Sequence, residues 1–337
     1  MLLVSHVGDF LLSVLLSPTF WTAIGAVGTV IALIFIYQQI RHARNVAAYE
    51  FLRREDDRYR TEEMKKNCSD LAIVLLRYPN DLHQIDIFAD VLLDYFEDLG
   101  IILRNGLSPI YFIWSMNCHY VLRYWHILQP YIMWTRVEYQ DNTYFSDFEY
   151  LYKKVAKFEL RKTGKSKIEF SDRDIRQFLK EELNVKIRNF KTSDIKAILR
   201  IEKASFTIDK YPETQFMELH KNHPDSFFVA ELFDDLIGYG IAYVSEDKGE
   251  FDSIAIDPCY LRLGIGSLLA QRLISYLQQH GITKYSLEVR TTNVGAVKFY
   301  EKLGFKIVKT EEHYYSDKGD AYVMEMSIVS DKQPANC

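Results

Sequence analysis

The chain has 337 residues, 48% of them hydrophobic and 26% charged, with a formal net charge of −5. This composition excludes a wholly disordered chain, and the length sets an expectation of about two domains. With 19 Lys/Arg against 20 Asp/Glu in residues 1–170 and 22 against 26 after them, neither half is basic, so no nucleic-acid footprint and no nucleic-acid partner is expected. Mean hydropathy is −0.15, a value that averages over one very apolar segment. The four cysteines (Cys68, Cys118, Cys259, Cys337) form no CxxC pair and no Cys/His cluster with metal-ligand spacing. They read as free thiols of a reducing compartment, and no metal site is expected.

Residues 10–40 carry no charged side chain, and no Lys or Arg precedes Arg41. Phe20 to Ile40 supplies the ~20 apolar residues a spanning helix needs. Pro18 and Thr19 suit a helix start, and Trp21 and Tyr37 sit near its ends, where aromatic belts form. A buried core helix is the alternative. Arg41, Arg44, Arg53 and Arg54 follow directly, so the positive-inside rule puts the N-terminus outside and everything after Arg41 in the cytoplasm. The expectation is a single-pass protein of the inner membrane that meets lipid through residues 20–40. Whether residues 1–16 enter the membrane stays open.

Residues 41–160 read as a helical, aromatic-rich domain. Asp90 to Arg104 places Val91, Leu92, Tyr95, Phe96, Leu99 and Ile102 on one helical stripe. Asn105-Gly106 and Ser108-Pro109 then break the chain. The aromatics from Tyr111 to Trp134 read as core or as a homo-oligomer contact. Trp21 to Arg41 (ending YQQIR), Phe96-Glu-Asp-Leu-Gly100 and Tyr124-Trp125 resemble a family of bacterial single-span proteins, a resemblance that implies no chemistry. Lys153 to Lys167 holds seven basic residues and one acid, either a solvated helix end or a contact for anionic lipid. Within a linker over 161–184, Ser171 to Asp174 resembles a capping box that starts a short helix at Asp172 to Leu183.

From Val185 the pattern alternates. Strands are expected at 185–190, 226–232, 236–245, 249–257, 284–290, 305–311 and 321–328, with helices at 193–205, 212–222, 264–280 and 293–303. Gly281 and Gly304 stand where helix C-caps place glycine. The most informative stretch is Phe251 to Leu273. An apolar strand (Ile254, Ala255, Ile256) ends at Asp257-Pro258, and Arg262-Leu-Gly264-Ile-Gly266 turns directly into an amphipathic helix. Such a unit aims several backbone N–H groups at one point on the positive end of the helix dipole, a pyrophosphate site. Leu269 occupies the third glycine position of a dinucleotide fingerprint, and no Gly-Lys-Ser/Thr exists for a Walker loop.

With Tyr285 to Phe305 (YSLEVRTTNVGAVKFYEKLGF) and Asp320 to Met326, this stretch resembles the GNAT superfamily of acetyl-CoA-dependent N-acetyltransferases over residues 185–329. It is most similar to those acting on ribosomal-protein N-termini. The tail, 330–337, lies beyond the resemblance. The expected fold class is therefore α+β: an N-terminal transmembrane helix and a helical domain, followed by a GNAT fold, a mixed sheet with helices on both faces. Leu261 departs from the family's usual Gln/Arg at the start of the phosphate loop, and Arg262 is the substitute cation. The resemblance implies acetyl-CoA as cofactor, held by Ile254, Ala255, Ile256, Arg262, Leu263, Gly264, Ile265, Gly266, Ser267, Asn293, Ala296 and Tyr300. Asn293 reads equally as a helix cap.

An ammonium must lose a proton before it can attack a thioester. The resemblance gives that base role to Glu288, against the alternative of a strand carboxylate paired with Arg290. It makes Tyr300 the acid for the departing thiolate, against an aromatic packed on the cofactor. Tyr314 and Tyr315 match residues that hold a peptide N-terminus. Loops 206–212 and 311–319 are expected to choose the acceptor, with Glu311, Glu312 and Asp317 suiting a cationic amine and His313 an accessory base. The expected function is a membrane-tethered N-acetyltransferase acting on a peptide N-terminus or a small amine. The alternative is a non-catalytic acyl-CoA sensor or membrane signalling protein.

Overall fold

The computed structural model describes residues 17–328. The expectations for residues 1–16, for the tail and for Cys337 lie outside the described residues. Residues 17–67 with 81–175 form one compact unit, and residues 68–80 with 176–328 form a second.

The helical unit begins with α1 (Pro18–Tyr59), which runs far past the expected end at Ile40. No Gly or Pro follows Gly28 in it, so nothing local stops the helix at the apolar boundary. An 18-residue window of this helix is long and apolar enough to cross a membrane, and none of that window is buried. Farther on, Arg44 anchors the helix by donating to the Gly106 carbonyl at 2.7 Å. Helix α2 (Glu62–Arg77) contributes residues to both units, while α3 (Leu82–Arg104), α4 (Ile110–Glu138) and α5 (Ser146–Thr163) belong to the first.

The stripe on α3 is buried as its spacing implies at Leu92, Tyr95, Phe96, Leu99 and Ile102. Val91 is a correction: it is 45% exposed and Leu93 is buried in its place, because the buried arc of α3 is centred one position later. Of the aromatic run on α4, Tyr124, Trp125 and Tyr131 are buried, Phe112, Trp114, Tyr120 and Trp134 are half-buried, and Tyr111 is exposed. Phe96 stacks on Phe148 at 4.6 Å and Trp125 on Tyr152 at 5.0 Å, while the Tyr95 hydroxyl donates to Asn117 at 2.9 Å. Gly100 lets α3 and α5 touch backbone to backbone, since a Cβ there would lie 2.1 Å from the Asp147 carbonyl oxygen. Lys153 pairs with Glu149 along α5, and the helix ends at Gly164 in the left-handed conformation. The expected capping box opens α6 (Asp172–Glu182), with Ser171 and Asp174 exchanging hydrogen bonds at 3.0 and 3.2 Å.

The second unit is built on a seven-stranded sheet ordered β1-β2-β3-β4-β5-β7-β6. The strands are β1 (Lys186–Asn189), β2 (Phe227–Leu232), β3 (Asp235–Ser245), β4 (Lys248–Ile256), β5 (Lys284–Arg290), β6 (Lys306–Glu311) and β7 (Ala321–Ser327). The helices are α7 (Ile195–Ser205), α8 (Glu213–Asn222), α9 (Ile265–Gln279) and α10 (Val294–Leu303). Alternation along β2 and β3 sorts side chains to two faces. Phe227, Val229, Tyr239 and Ile241 pack with Ile198 and Ile201 of α7 and Phe216 of α8. The opposite face receives α9, and glycines let it come close. A Cβ at Gly249 would lie 2.6 Å from Leu277, and one at Gly240 would lie 3.1 Å from Leu273.

Every neighbouring pair is antiparallel except β4 and β5, which run parallel and pair only at Gly249–Tyr285 and Glu250–Ser286. Beyond Glu250 the two strands part. This cleft in an otherwise continuous sheet leads to the candidate site.

Candidate active site

One wall of the cleft is the end of β4. Ile256 is held by Ser205, whose Oγ donates to its carbonyl at 3.1 Å. The next residue, Asp257, accepts from Cys259 N at 2.9 Å and from Arg200 at 3.0 Å, which fixes the chain as it leaves the strand. The loop then passes through Arg262 (φ 66°) and Gly264 (φ 92°). Two left-handed residues so close together turn successive amides toward one side. Gly264 is also the N-cap of α9 and offers no side chain to close the helix end. Among the described residues the amides of Gly264, Ile265 and Gly266 donate to no backbone carbonyl, the condition a helix start meets with an anion.

A Cβ at Gly266 would stand in van der Waals contact with the Phe299 ring of α10, at 3.4 Å, in space that the glycine leaves empty. The residues therefore fit a pyrophosphate. Leu263 is buried and anchors the loop, whereas Leu261 is half-exposed and contributes no charge. Asn293 is the N-cap of α10, accepting from Ala296 N at 3.1 Å. Tyr300 lies on that helix with its ring against Phe299 and Phe305 and its hydroxyl desolvated. Burial raises its pKa well above 10, so it keeps its proton at neutral pH.

The mouth of the cleft is acidic and aromatic. Glu288 on β5 is raised above the usual glutamate range by burial and then by Glu250 and Glu311, with Lys309 opposing. It has no pairing with Arg290. That guanidinium instead donates to Asp317 at 2.9 Å and to Asp209 at 3.4 Å, and it lies 4.0 Å over the Tyr315 ring. Arg290 thus ties both expected acceptor loops to β5. Tyr314 is half-exposed, and burial with nearby Glu288 pushes its hydroxyl up to about 12. His313 is turned onto its own loop, Nδ1 3.1 Å from the Lys318 carbonyl and 3.9 Å from Asp320 Oδ1.

One residue escaped the sequence reading. On β4 the register passes from Ile241–Ser253 to Ala242–Phe251, which makes Asp252 the extra residue of a β-bulge. Bulges re-aim side chains. Its Oδ2 is buried without a hydrogen-bond partner among the described residues. Burial, then Glu250 and Glu288, push Asp252 up to about 6, against the pull of the Tyr211 hydroxyl. The signal was present as a lone charge in the apolar run Phe251 to Ile256, but the bulge that aims it depends on pairing with β3. Glu202 supports the arrangement from beneath. It accepts from Tyr211 N at 2.8 Å and from the Tyr239 hydroxyl, which also meets Ser253 at 3.1 Å.

Residues 195–305 match the family described as "Acetyltransferase (GNAT) family", and residues 22–155 match a domain of unknown function, DUF4760. The chain is 36% identical over 152 residues to an N-alpha-acetyltransferase of Sulfurisphaera tokodaii, covering 41% of this chain and 90% of that protein. The chain belongs to the GNAT acetyltransferase family. A second relative, the [ribosomal protein bS18]-alanine N-acetyltransferase of Escherichia coli K12, is 29% identical over 42% of this chain and 97% of its own. The crystal structure of Ard1 from Thermoplasma volcanium is 31% identical, covers 43% of this chain and 98% of its own, and has a TM-score of 0.42. The second unit is thus an N-acetyltransferase, and its cofactor is acetyl-CoA.

The raised Asp252 pKa has a consequence for stability. In the unfolded chain an aspartate titrates near 4. Between about 4 and about 6 the native state holds the proton that the unfolded state has lost, so stability falls as pH rises through that window. Asp252→Asn is expected to raise the melting temperature at about pH 7.5, with the gain fading toward about pH 4.5 in thermal scans.

Proposed function

We propose that the protein is a membrane-tethered Nα-acetyltransferase whose acceptor is the ammonium of a peptide or protein N-terminus, or of a small amine. The observation that carries this reading is the group of Glu250, Asp252, Glu288 and Glu311 at the mouth of the cleft, ringed by tyrosines, with one aspartate oxygen left unpartnered. A cationic amine suits that field, and an anionic or apolar acceptor does not.

Bound acetyl-CoA supplies the thioester acetyl group, its C–S bond breaking as the new C–N bond forms. The amides of Gly264, Ile265 and Gly266 receive its phosphates, and Ser267 and Arg262 flank them. The backbone of Ile254, Ala255 and Ile256 lines the cleft toward the acetyl end, and Ala296 and Asn293 begin the helix that carries Tyr300. Asp252 holds the acceptor ammonium through its free oxygen. Glu288, raised above the usual glutamate range by burial, takes the proton that the ammonium must lose. Tyr300, still protonated at pH 7, gives its proton to the departing sulfur and recovers one from the new amide nitrogen. Tyr314 and Tyr315 flank the acceptor's first residues on a loop that Arg290 keeps in place.

Steady-state kinetics of the full chain, with peptides bearing free N-termini, separate these roles. Glu288→Gln and Tyr300→Phe are each expected to lower kcat by about 10²- to 10⁴-fold. Asp252→Asn is expected chiefly to raise KM for the peptide and to remove the fall in kcat/KM below about pH 6. Unchanged kcat in both of the first two variants would refute the assignment.

The tether rests on α1, where Trp21, Ile31, Leu33, Phe35 and Tyr37 are each about 60% exposed and, among the described residues, no neighbour lies within 4 Å of a Cβ placed at Gly25 or Gly28. Charge asymmetry gives the orientation, N-terminus outside and acetyltransferase in the cytoplasm, the side where acetyl-CoA is found. The full chain is expected to stay with membranes through alkaline carbonate extraction, and a chain lacking residues 1–40 to be released. Extraction of the full chain by carbonate would contradict the tether.

A further inference from the structure

The family match begins at residue 195, yet the second unit also contains residues 68–80 and 176–194. These two segments form a collar. Phe178, Leu179 and Leu183 turn inward from α6 and the residue after it, and Leu71, Ala72 and Leu75 are buried on α2. Ser69 Oγ donates to the Leu183 carbonyl at 3.2 Å in a buried hydrogen bond. Arg77 donates to the carbonyl of Cys259, inside the loop that leads from β4 to the pyrophosphate cradle. The collar is therefore fastened to that loop directly.

On the outer face of α6, Lys180 reaches over the cradle. Its Cε and Nζ lie 3.4 and 3.5 Å from the point where a Cβ on Gly264 would stand. Among the described residues this ammonium has no hydrogen-bond or ion-pair partner. Its helix is pinned through Phe178 and Leu179, which holds the root of the side chain within reach of the cradle. We infer that Lys180 is a cofactor-binding residue supplied from outside the acetyltransferase fold, an ammonium that pairs with the CoA pyrophosphate above the amides of Gly264 to Gly266. It provides the cation that Leu261 does not. The inference rests on the acetyl-CoA assignment of the cradle and adds to it a residue that the fold alone does not contain.

Calorimetric titration of CoA into the full chain in lipid nanodiscs tests it. Lys180→Gln is expected to weaken CoA binding by about 5- to 20-fold, and Lys180→Arg to restore most of the loss. Dephospho-CoA, which keeps the pyrophosphate and lacks the 3′-phosphate, should show the same factor. The difference between wild type and Lys180→Gln should narrow as salt rises, which loss of packing alone would not produce. Wild-type and Lys180→Gln affinities within about twofold of each other at low salt would overturn the inference while leaving the cradle intact. A wild type that binds no CoA would overturn the cradle assignment and the inference together.

Discussion

The site depends on one interruption of hydrogen bonding. Strands β4 and β5 share only two register positions and then separate. A sheet interior with unpaired backbone edges is costly unless something else satisfies them. Here the open edges face each other across a cleft whose far end is a helix N-terminus without a capping side chain. Among the described residues the amides of Gly264 to Gly266 donate to no backbone carbonyl, and Asp252 Oδ2 has no hydrogen-bond partner. Acetyl-CoA, with phosphates at one end, amides along its arm and a thioester at the other, has polar groups suited to each part.

The parting of the strands also decides which residues become chemical. Glu288 lies two residues past the last β5 position paired with β4, and Asp252, the bulged residue, lies two past the last β4 position paired with β5. Carboxylates on the two diverging strands therefore share one partly dry space: burial raises both, Glu250 raises both further, and Glu288 adds to the rise of Asp252. Two carboxylates in one site, both raised above their ordinary range by burial, suit a reaction that must first bind an ammonium and then deprotonate it. Arg290 takes no part in neutralising them, because Asp209 and Asp317 occupy it. The arginine two residues from Glu288 instead holds the two loops through Asp209 and Asp317.

How much of this was legible follows how local each feature is. The strands and helices after Val185 lie within two residues of the positions their alternation and capping glycines imply, since both signals are carried by neighbouring residues. The cradle was legible for the same reason: strand, Gly-x-Gly turn and helix are consecutive. Asp252 was not, because its orientation follows from a register slip against β3. Nor were Lys180 and residues 68–80, whose places are set by packing between segments some hundred residues apart, as Ser69 with Leu183 shows. The pairing of Glu288 with Arg290, weighed from their spacing, is absent because two residues distant in sequence reach the guanidinium first. On α1 the charge boundary at Arg41 was legible, but it marks a change of solvent preference and not the end of a helix.

Hydrogen–deuterium exchange of the full chain in nanodiscs, with and without saturating CoA, tests the central claim most directly. The account predicts slowed exchange at the amides of residues 263–267 and along the cleft edges at 254–256 and 287–289, with α3 to α5 unchanged. Saturating CoA that leaves both the cradle and the cleft edges exchanging as before would contradict it.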